Sequence, residues 1–214
     1  PYLYRWEYGE ENLLKEAGLL HSFFIFLSTD FIFSGLEGMY KEEDEPAPVN
    51  YYGQTKLEAE AAVIKYEGDW SIVRTVLVYG DPNGGRHNIL TNVASALKEK
   101  KTLKIFNDQV RTPTFVEDLV SAITTIIEKN KTGIFHISGE DILTPYQMAI
   151  AVADHLQLET SLISPVNEDE FVQPAKRPLK TGFDISKAKK ELGYQPTSFA
   201  DGLKRTFKNI NEKE

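Results

Sequence analysis

Short apolar runs that alternate with helical patterns constrain the fold of this 214-residue chain most strongly. Residues 23–27 are a continuous apolar run and residues 71–78 are rich in Val and Ile, which predicts two buried strands, and residues 133–137 predict another strand. Helical spacing of apolar residues lies between them, over residues 51–66 and from Thr114 or Val116 to residue 129. Parallel strands need crossover connections, and helices supply them. The sequence therefore predicts an α/β fold with a Rossmann-like, doubly wound parallel sheet.

Weaker patterns complete the chain and suggest its division. They predict helices over residues 10–17, 88–98, 145–156, 186–192 and 198–209, and short strands over residues 103–106 and 162–164. After residue 143 the pattern is mostly helical, opening with Thr144 as an N-cap and Pro145 at the first helical position. We expect a partial NAD(P)-binding, Rossmann-like domain over residues 1–143. Residues 144–214 would form a small, mainly helical substrate-binding lobe, with contributions interleaved between the two.

Composition excludes several classes of function. The formal net charge of -8 disfavours a nucleic-acid partner, because an acidic surface repels the phosphate backbone. The absence of cysteine excludes disulfides, thiolate metal ligands and a cysteine nucleophile, and it fits a reducing, cytoplasmic compartment. No apolar run approaches the roughly 18 residues that a membrane span needs, so no membrane partner is expected. The four histidines show no paired ligand spacing, and no metal site is predicted.

One group of polar residues follows the first predicted strand and opens the next helix. Thr29 comes at the carboxyl end of a buried strand, where open parallel sheets bind their ligands. Tyr52 and Lys56 are four residues apart on a predicted helix and therefore share a face. A nearby ammonium lowers the pKa of a phenol, which could then protonate a carbonyl oxygen that the Thr29 hydroxyl orients. The alternative without a function is that Tyr52 faces solvent and Lys56 lies on the surface of an amphipathic helix.

Several motifs in the same order resemble the extended short-chain dehydrogenase/reductases, specifically the dTDP-4-dehydrorhamnose reductase branch. Residues 26–35 (FLSTDFIFSG) and 52–60 (YGQTKLEAE) resemble the strand, loop and helix that carry the catalytic residues in that family. Residues 73–80 (VRTVLVYG), 108–119 and 176–193 continue the resemblance toward the C-terminus.

The resemblance implies a role for each matching residue. Thr29 would polarise a 4-keto oxygen, Tyr52 would donate the proton, and Lys56 would lower the pKa of Tyr52 and bind the nicotinamide ribose. The implied cofactor, NADP(H) or NAD(H), would be bound by Ser28, Tyr52, Lys56, Thr75, Val76 and Val78. The implied nucleotide-sugar substrate would be bound by Asp30, Phe31, Leu77, Asn88, Arg111 and Arg177. Arginine can grip phosphate oxygens with two parallel hydrogen bonds, which makes Arg111 and Arg177 candidates for the diphosphate.

Two other residues have a structural interpretation. Arg74 lies inside a predicted strand and is expected in a buried ion pair, and His136 is expected to be a satisfied core residue.

The resemblance lacks one part of the family pattern. Neither G-x-x-G-x-x-G nor G-x-G-x-x-G occurs among the fourteen glycines, although such a turn holds the dinucleotide pyrophosphate at a helix N-terminus. Only about twenty residues precede the first predicted strand, too few for the first βαβ half of the fold. We therefore expect the parent protein to contain an N-terminal half that this sequence does not include.

Three functions are compatible with these residues. The first is NAD(P)H-dependent reduction of a 4-keto group on a nucleotide-linked deoxysugar, and the second is epimerisation or dehydration by the same family. Thr29 is followed by Asp30 and Phe31 rather than by an acidic pair, which argues mildly against a dehydratase. The third is a non-catalytic regulatory subunit that resembles the beta subunit of methionine adenosyltransferase. The resemblance also implies a homodimer as one assembly.

Overall fold

The computed structural model describes residues 4–170 and 175–211, with side chains from residue 12 onward except those of residues 209 and 211. The helices are α1 (Tyr4–Leu19), α2 (Tyr51–Ile64), α3 (Ile89–Lys98), α4 (Val116–Glu128), α5 (Pro145–His155), α6 (Ser186–Leu192) and α7 (Phe199–Asn211). The strands are β1 (Phe24–Thr29), β2 (Trp70–Thr75), β3 (Val78–Tyr79), β4 (Leu103–Phe106), β5 (Thr114–Phe115), β6 (Gly133–Ile137) and β7 (Ile163–Val166). Short 3-10 helices cover Asp30–Ile32, Thr160–Leu162 and Glu168–Glu170.

The three longest predicted strands form one parallel sheet in the order β1-β2-β6. Thr29 lies opposite Thr75, which in turn lies opposite Ile137, so all three strands end at the same edge of the sheet. The α/β architecture with parallel strands and covering helices is confirmed. Within the described residues, β1 has a strand partner on one side only.

The prediction of a single strand over residues 71–78 is wrong. β2 ends at Thr75, and Leu77 has a positive φ of 33° before β3 begins at Val78. At the break, the carbonyl of Val76 accepts from the Thr114 hydroxyl at 2.6 Å and from the Thr114 amide at 3.0 Å. Thr114 belongs to β5, which pairs with β3, and α4 begins at Val116, the second of the two predicted starts.

Three apolar clusters form the core of the described residues, and the two larger ones draw residues from both sides of residue 143. The first lies around the three-stranded sheet and includes Val73, Phe135 and, from the C-terminal part, Leu192. The second lies between α3, α5 and α7, beside the parallel pair β4-β7. The carboxyl edge of the main sheet therefore faces a second layer, and a cleft lies between the two.

A buried ion pair fixes α2 to the sheet. The Arg74 guanidinium on β2 donates to both carboxylate oxygens of Glu60 on α2, with the shortest N···O distance 2.7 Å. Its remaining Nη1 contacts are the carbonyl of Glu42 at 3.2 Å and the Nε2 of His136 at 3.3 Å. His136 is completely buried and its Nδ1 lies 3.0 Å from the carbonyl of Tyr40. Both structural interpretations, the ion pair of Arg74 and the satisfied core role of His136, are confirmed.

Candidate functional site

A cleft of about 710 Å³ lies beyond the carboxyl ends of β1 and β2. Nine of the sequence-predicted site residues line it. They are Thr29, Asp30, Phe31, Tyr52, Leu77, Val78, Asn88, Arg111 and Arg177. Ser28, Lys56, Thr75 and Val76 are not among the lining residues.

Local packing brings Tyr52 beside Thr29. The Asn50 side chain caps α2 by accepting from the Gly53 amide at 2.9 Å, which starts the helix one turn before Lys56. A Cβ at Gly53 would lie 2.1 Å from the carbonyl oxygen of Phe31, so only glycine lets the helix approach the segment after Thr29 this closely. Tyr52 is 49% exposed and lines the cleft together with Thr29, whose hydroxyl acts to lower the pKa of the phenol.

The predicted effect of Lys56 on Tyr52 is not what the structure shows. The pKa of Tyr52 is raised, not lowered: desolvation is the largest cause, the Asp30 carboxyl adds to it, and the Thr29 hydroxyl opposes it. The Lys56 ammonium instead donates to the carbonyl of Leu27 at 3.2 Å and lies 4.6 Å from the Phe26 ring centroid. The lysine therefore contacts β1 from α2, the helix that also carries Tyr52.

The Asp30 carboxyl points into the protein. It accepts hydrogen bonds from the hydroxyls of Thr29, at 3.1 Å, and Thr181, and the Nε of Arg111 lies 4.0 Å from it. Desolvation raises the pKa of Asp30 more than Arg111, Thr181 and Thr29 lower it. Asp30 borders the cleft, but with 3% of its surface exposed its carboxyl serves Thr29 and Thr181 rather than a ligand.

Arg111 also differs from the sequence interpretation. Its Nη1 donates to the carbonyls of Val110 and Leu179, and its Nη2 donates to the carbonyl of Pro178 and to the side chain of Gln109. These four bonds use all four Nη hydrogens. Arg111 therefore contributes positive charge to the cleft, but it has no Nη donor left to bind a phosphate in a bidentate manner. The guanidinium instead fastens the segment that carries Arg177, which is exposed and lines the cleft.

Asn88 is occupied by local structure. Its side-chain oxygen accepts from the amides of Leu90 and Thr91 as the N-cap of α3, and its Nδ2 donates to the carbonyl of Gly80 at 2.7 Å. The residue borders the cleft, but its amide positions the start of α3.

The remaining predicted cofactor residues lie at the strand ends. The Ser28 hydroxyl is buried without a hydrogen-bond partner, the Thr75 hydroxyl donates to Thr114 at 2.9 Å, and the Val76 side chain is fully buried in the core. Leu77 and Val78 are partly exposed at the cleft wall.

Sequence reasoning missed several lining residues on the far side of the cleft. They are Arg86, His87, Ile89, Asn92, Val93, Leu103, Lys104, Ile105, Phe106, Gln109 and Pro145. Lys104 and Phe106 reach the cleft because β4 pairs with β7, a contact between residues 60 apart that no local pattern announces. The cationic side chains of Arg86 and Lys104 line the same cleft as those of Arg111 and Arg177. These four residues are far apart in the sequence and come together only in the fold. In a protein of net charge -8, this cleft gathers positive charge and so favours an anionic ligand.

No group of three or more potential His, Asp or Glu metal ligands occurs among the described residues. Within the same residues, every helix is too short or too polar to cross a membrane.

Comparison with known proteins agrees with this geometry. The family model described as RmlD substrate binding domain matches residues 7–212. The methionine adenosyltransferase 2 subunit beta of Pongo abelii is 34% identical over 203 residues, which cover 92% of this chain and 60% of the relative. The probable low-salt glycan biosynthesis reductase Agl14 of Haloferax volcanii is 31% identical over 184 residues, covering 84% of this chain and 61% of that protein. The chain thus spans about three fifths of the length of these curated relatives.

The solved structures include similar reductases. The dTDP-4-dehydrorhamnose reductase of Bacillus anthracis, solved in complex with NADP, superposes with a TM-score of 0.87 at 28% identity, covering 94% of this chain and 70% of that chain. The family model spans nearly the whole sequence, and the α/β fold with parallel strands is that of these solved relatives. The chain therefore belongs to the RmlD substrate binding domain family, a group of proteins that resemble the extended short-chain dehydrogenases/reductases.

Proposed function

We propose that the protein containing this chain reduces a 4-keto group on a nucleotide-linked deoxysugar with a reduced nicotinamide dinucleotide. The observation that carries the proposal is that Thr29 and Tyr52 line the same cleft as Arg86, Lys104 and Arg177. Tyr52 can donate a proton to a carbonyl oxygen, and the Thr29 hydroxyl can hydrogen bond to the same oxygen. The positive charge of the arginine and lysine side chains suits a diphosphate.

The residues of this chain fit the nicotinamide end of such a cofactor. The Ser28 hydroxyl is a buried polar group that lacks a partner, and the Lys56 ammonium donates to the carbonyl of the preceding residue, Leu27, at 3.2 Å. Lys56 and Ser28 would hold the ribose and carboxamide end, and a bound reduced nicotinamide would supply hydride to the carbonyl carbon. The sequence holds no glycine-rich turn for the pyrophosphate, which the parent protein would have to supply.

The side chains of this chain would supply the proton and the orientation. The carbonyl oxygen would accept hydrogen bonds from Tyr52 and Thr29, and the Tyr52 proton would move to that oxygen as negative charge develops on it. The raised pKa of Tyr52 keeps its phenol protonated before the reaction. Arg177, aided by the charge of Arg111, would hold the diphosphate, and the substrate would be a nucleotide sugar.

The direct test is an assay of the full-length protein with dTDP-4-dehydrorhamnose and either NADPH or NADH. Loss of reduced-nicotinamide absorbance is expected, and Tyr52→Phe should lower the rate by about 10²-fold or more. Tyr51→Phe is the matched control, since this neighbouring phenol is 55% exposed and borders no part of the cleft. Equal rates in the two variants would contradict the role of Tyr52, and an inactive wild-type protein would contradict the reductase function for this substrate.

A second function is favoured by the curated relatives named as methionine adenosyltransferase 2 subunit beta. On this alternative, the protein binds a methionine adenosyltransferase and changes its activity without reducing a sugar. Titration calorimetry against the methionine adenosyltransferase of the same organism would test it. Binding together with absent sugar turnover would favour the subunit, whereas turnover without binding would favour the reductase.

A further inference from the structure

Arg177 belongs to a short segment of irregular backbone, residues 176–181, which we call the strap. The strap lies outside the helices and named strands, so its position depends on its contacts with other segments. Arg177 is exposed and lines the cleft, whereas the next residue, Pro178, is buried. The bonds that hold the strap backbone therefore decide where the Arg177 guanidinium can reach.

The Arg111 side chain supplies two of these bonds. Its Nη1 donates to the carbonyl of Leu179 at 2.9 Å, and its Nη2 donates to the carbonyl of Pro178 at 2.8 Å. The other two Nη bonds, to the carbonyl of Val110 at 2.8 Å and to the side-chain oxygen of Gln109 at 3.2 Å, fix the plane of the guanidinium. A planar guanidinium can hold two consecutive carbonyls in this way, and a lysine ammonium cannot present the same fork of donors.

Arg111 is anchored on its other side to the core. Its amide and carbonyl exchange two backbone hydrogen bonds of 2.9 Å with Leu143, and its side chain is 3% exposed. Its Nε lies 4.0 Å from the carboxylate of Asp30, which accepts hydrogen bonds from the hydroxyls of Thr181 in the strap and of Thr29. Arg111 and Asp30 therefore connect the strap to the residue that would orient the substrate carbonyl.

We propose that Arg111 is a positioning residue that fixes the strap so that Arg177 meets the substrate diphosphate at a set distance from Thr29. This inference rests on the proposed function, which supplies the nucleotide diphosphate. All four Nη hydrogens of Arg111 bind protein acceptors, so Arg111 acts on the diphosphate through the strap rather than by direct Nη contact. Arg111→Lys keeps the positive charge and removes the fork, and it therefore separates positioning from charge.

The test measures the binding of dTDP to the full-length protein by titration calorimetry, which needs no turnover. Arg111→Lys should bind dTDP roughly tenfold more weakly, because Arg177 loses its fixed position and with it a charge-assisted phosphate contact. Arg205→Lys is the matched control, since Arg205 is exposed on α7 and does not line the cleft, and it should bind dTDP as the wild type does. Wild-type affinity in Arg111→Lys would overturn the proposal and leave charge as the contribution of Arg111.

A double replacement tests whether Arg111 acts through Arg177. Arg177→Ala should also bind dTDP roughly tenfold more weakly. If Arg111 serves to place Arg177, adding Arg111→Lys to Arg177→Ala should change the affinity little further, because residues that act as a unit are not additive. Independent effects would instead multiply to roughly a hundredfold, and that result would overturn the proposal.

Amide hydrogen exchange tests the strap without any ligand. The amides of Lys180 and Thr181 donate to the carbonyls of Gly35 and Val110, at 2.9 and 3.2 Å. In Arg111→Lys these two amides should exchange faster while the amides of α5 keep their wild-type rates, because the strap loosens locally. Unchanged exchange in the strap, or an equal increase throughout the chain, would overturn the positioning role. A wild-type protein that binds no dTDP would contradict the proposed function, and the exchange rates would then decide alone whether Arg111 holds the strap.

Discussion

The buried ion pair between α2 and the sheet leads to the sharpest prediction on stability. Glu60 and Arg74 are 1% and 3% exposed, and three N···O contacts of 2.7–3.2 Å join them. Glu60→Gln keeps the size of the side chain but leaves the Arg74 charge buried without its counter-charge. Breaking one side of a buried pair costs about 3–5 kcal/mol. For a chain of this length, that corresponds to a fall in Tm of roughly 6–20 °C.

Urea unfolding followed by circular dichroism would measure this loss. Glu58→Gln is the matched control, because Glu58 lies on the same helix, is exposed, and accepts one bond from Gln54. Its expected effect is within about 0.5 kcal/mol. The double replacement Glu60→Leu with Arg74→Met should recover much of the stability that Glu60→Gln loses, since it removes both charges. If Glu60→Gln and Glu58→Gln unfolded at the same urea concentration, the assignment of this pair as the clamp of α2 would be refuted.

Three further predictions concern the site and the core. Gly53→Ala should destabilise the protein and slow turnover, because its Cβ would force α2 away from the carbonyl of Phe31 and so move Tyr52. Thermal melts and turnover rates would measure both effects, and an unchanged Tm and rate would contradict the prediction. Arg177→Ala should raise KM for the nucleotide sugar by roughly tenfold or more at similar kcat, as expected for a lost charge-assisted phosphate contact; an unchanged KM would exclude that contact. Burial lowers the pKa of His136 to about 3, so its contribution to stability is present above the unfolded pKa of about 6.5 and is lost as pH falls toward 3. His136→Gln should therefore flatten the dependence of stability on pH in this window, as measured by urea unfolding, and an unchanged slope would contradict it.

Much of the fold was predictable because the signals were local. The strands over residues 103–106 and 133–137 and the helix over residues 186–192 have the bounds that the sequence pattern indicates. Each is a compact run with a clear period or a clear stop, such as Gly193 at the end of α6 with φ of 74°. The break after Thr75 was not predictable, because the contacts made there join Val76 to Thr114, which lies 38 residues away in the sequence.

The candidate site divides in the same way. The proximity of Thr29 and Tyr52 followed from the position of a strand end and a helix start, and the structure brings them together. Arg111 donates to four protein acceptors, and two of them are the carbonyls of residues 178 and 179. No pattern near Arg111 indicates that these residues pack against it. The Lys56 bond to Leu27 is likewise a tertiary contact, and the desolvation that raises the Tyr52 pKa depends on packing that no local pattern indicates.

We propose that Tyr52, assisted by Thr29, protonates a sugar carbonyl as hydride is transferred to it. The transfer can be followed by giving the full-length protein dTDP-4-dehydrorhamnose and NADPH carrying deuterium at the transferable position and weighing the sugar product by mass spectrometry. We expect one deuterium in the wild-type product and a strongly reduced yield of that product with Tyr52→Phe. A wild-type protein that binds the substrate but transfers no deuterium, or a Tyr52→Phe variant that transfers it at the wild-type rate, would contradict the proposed role of Tyr52.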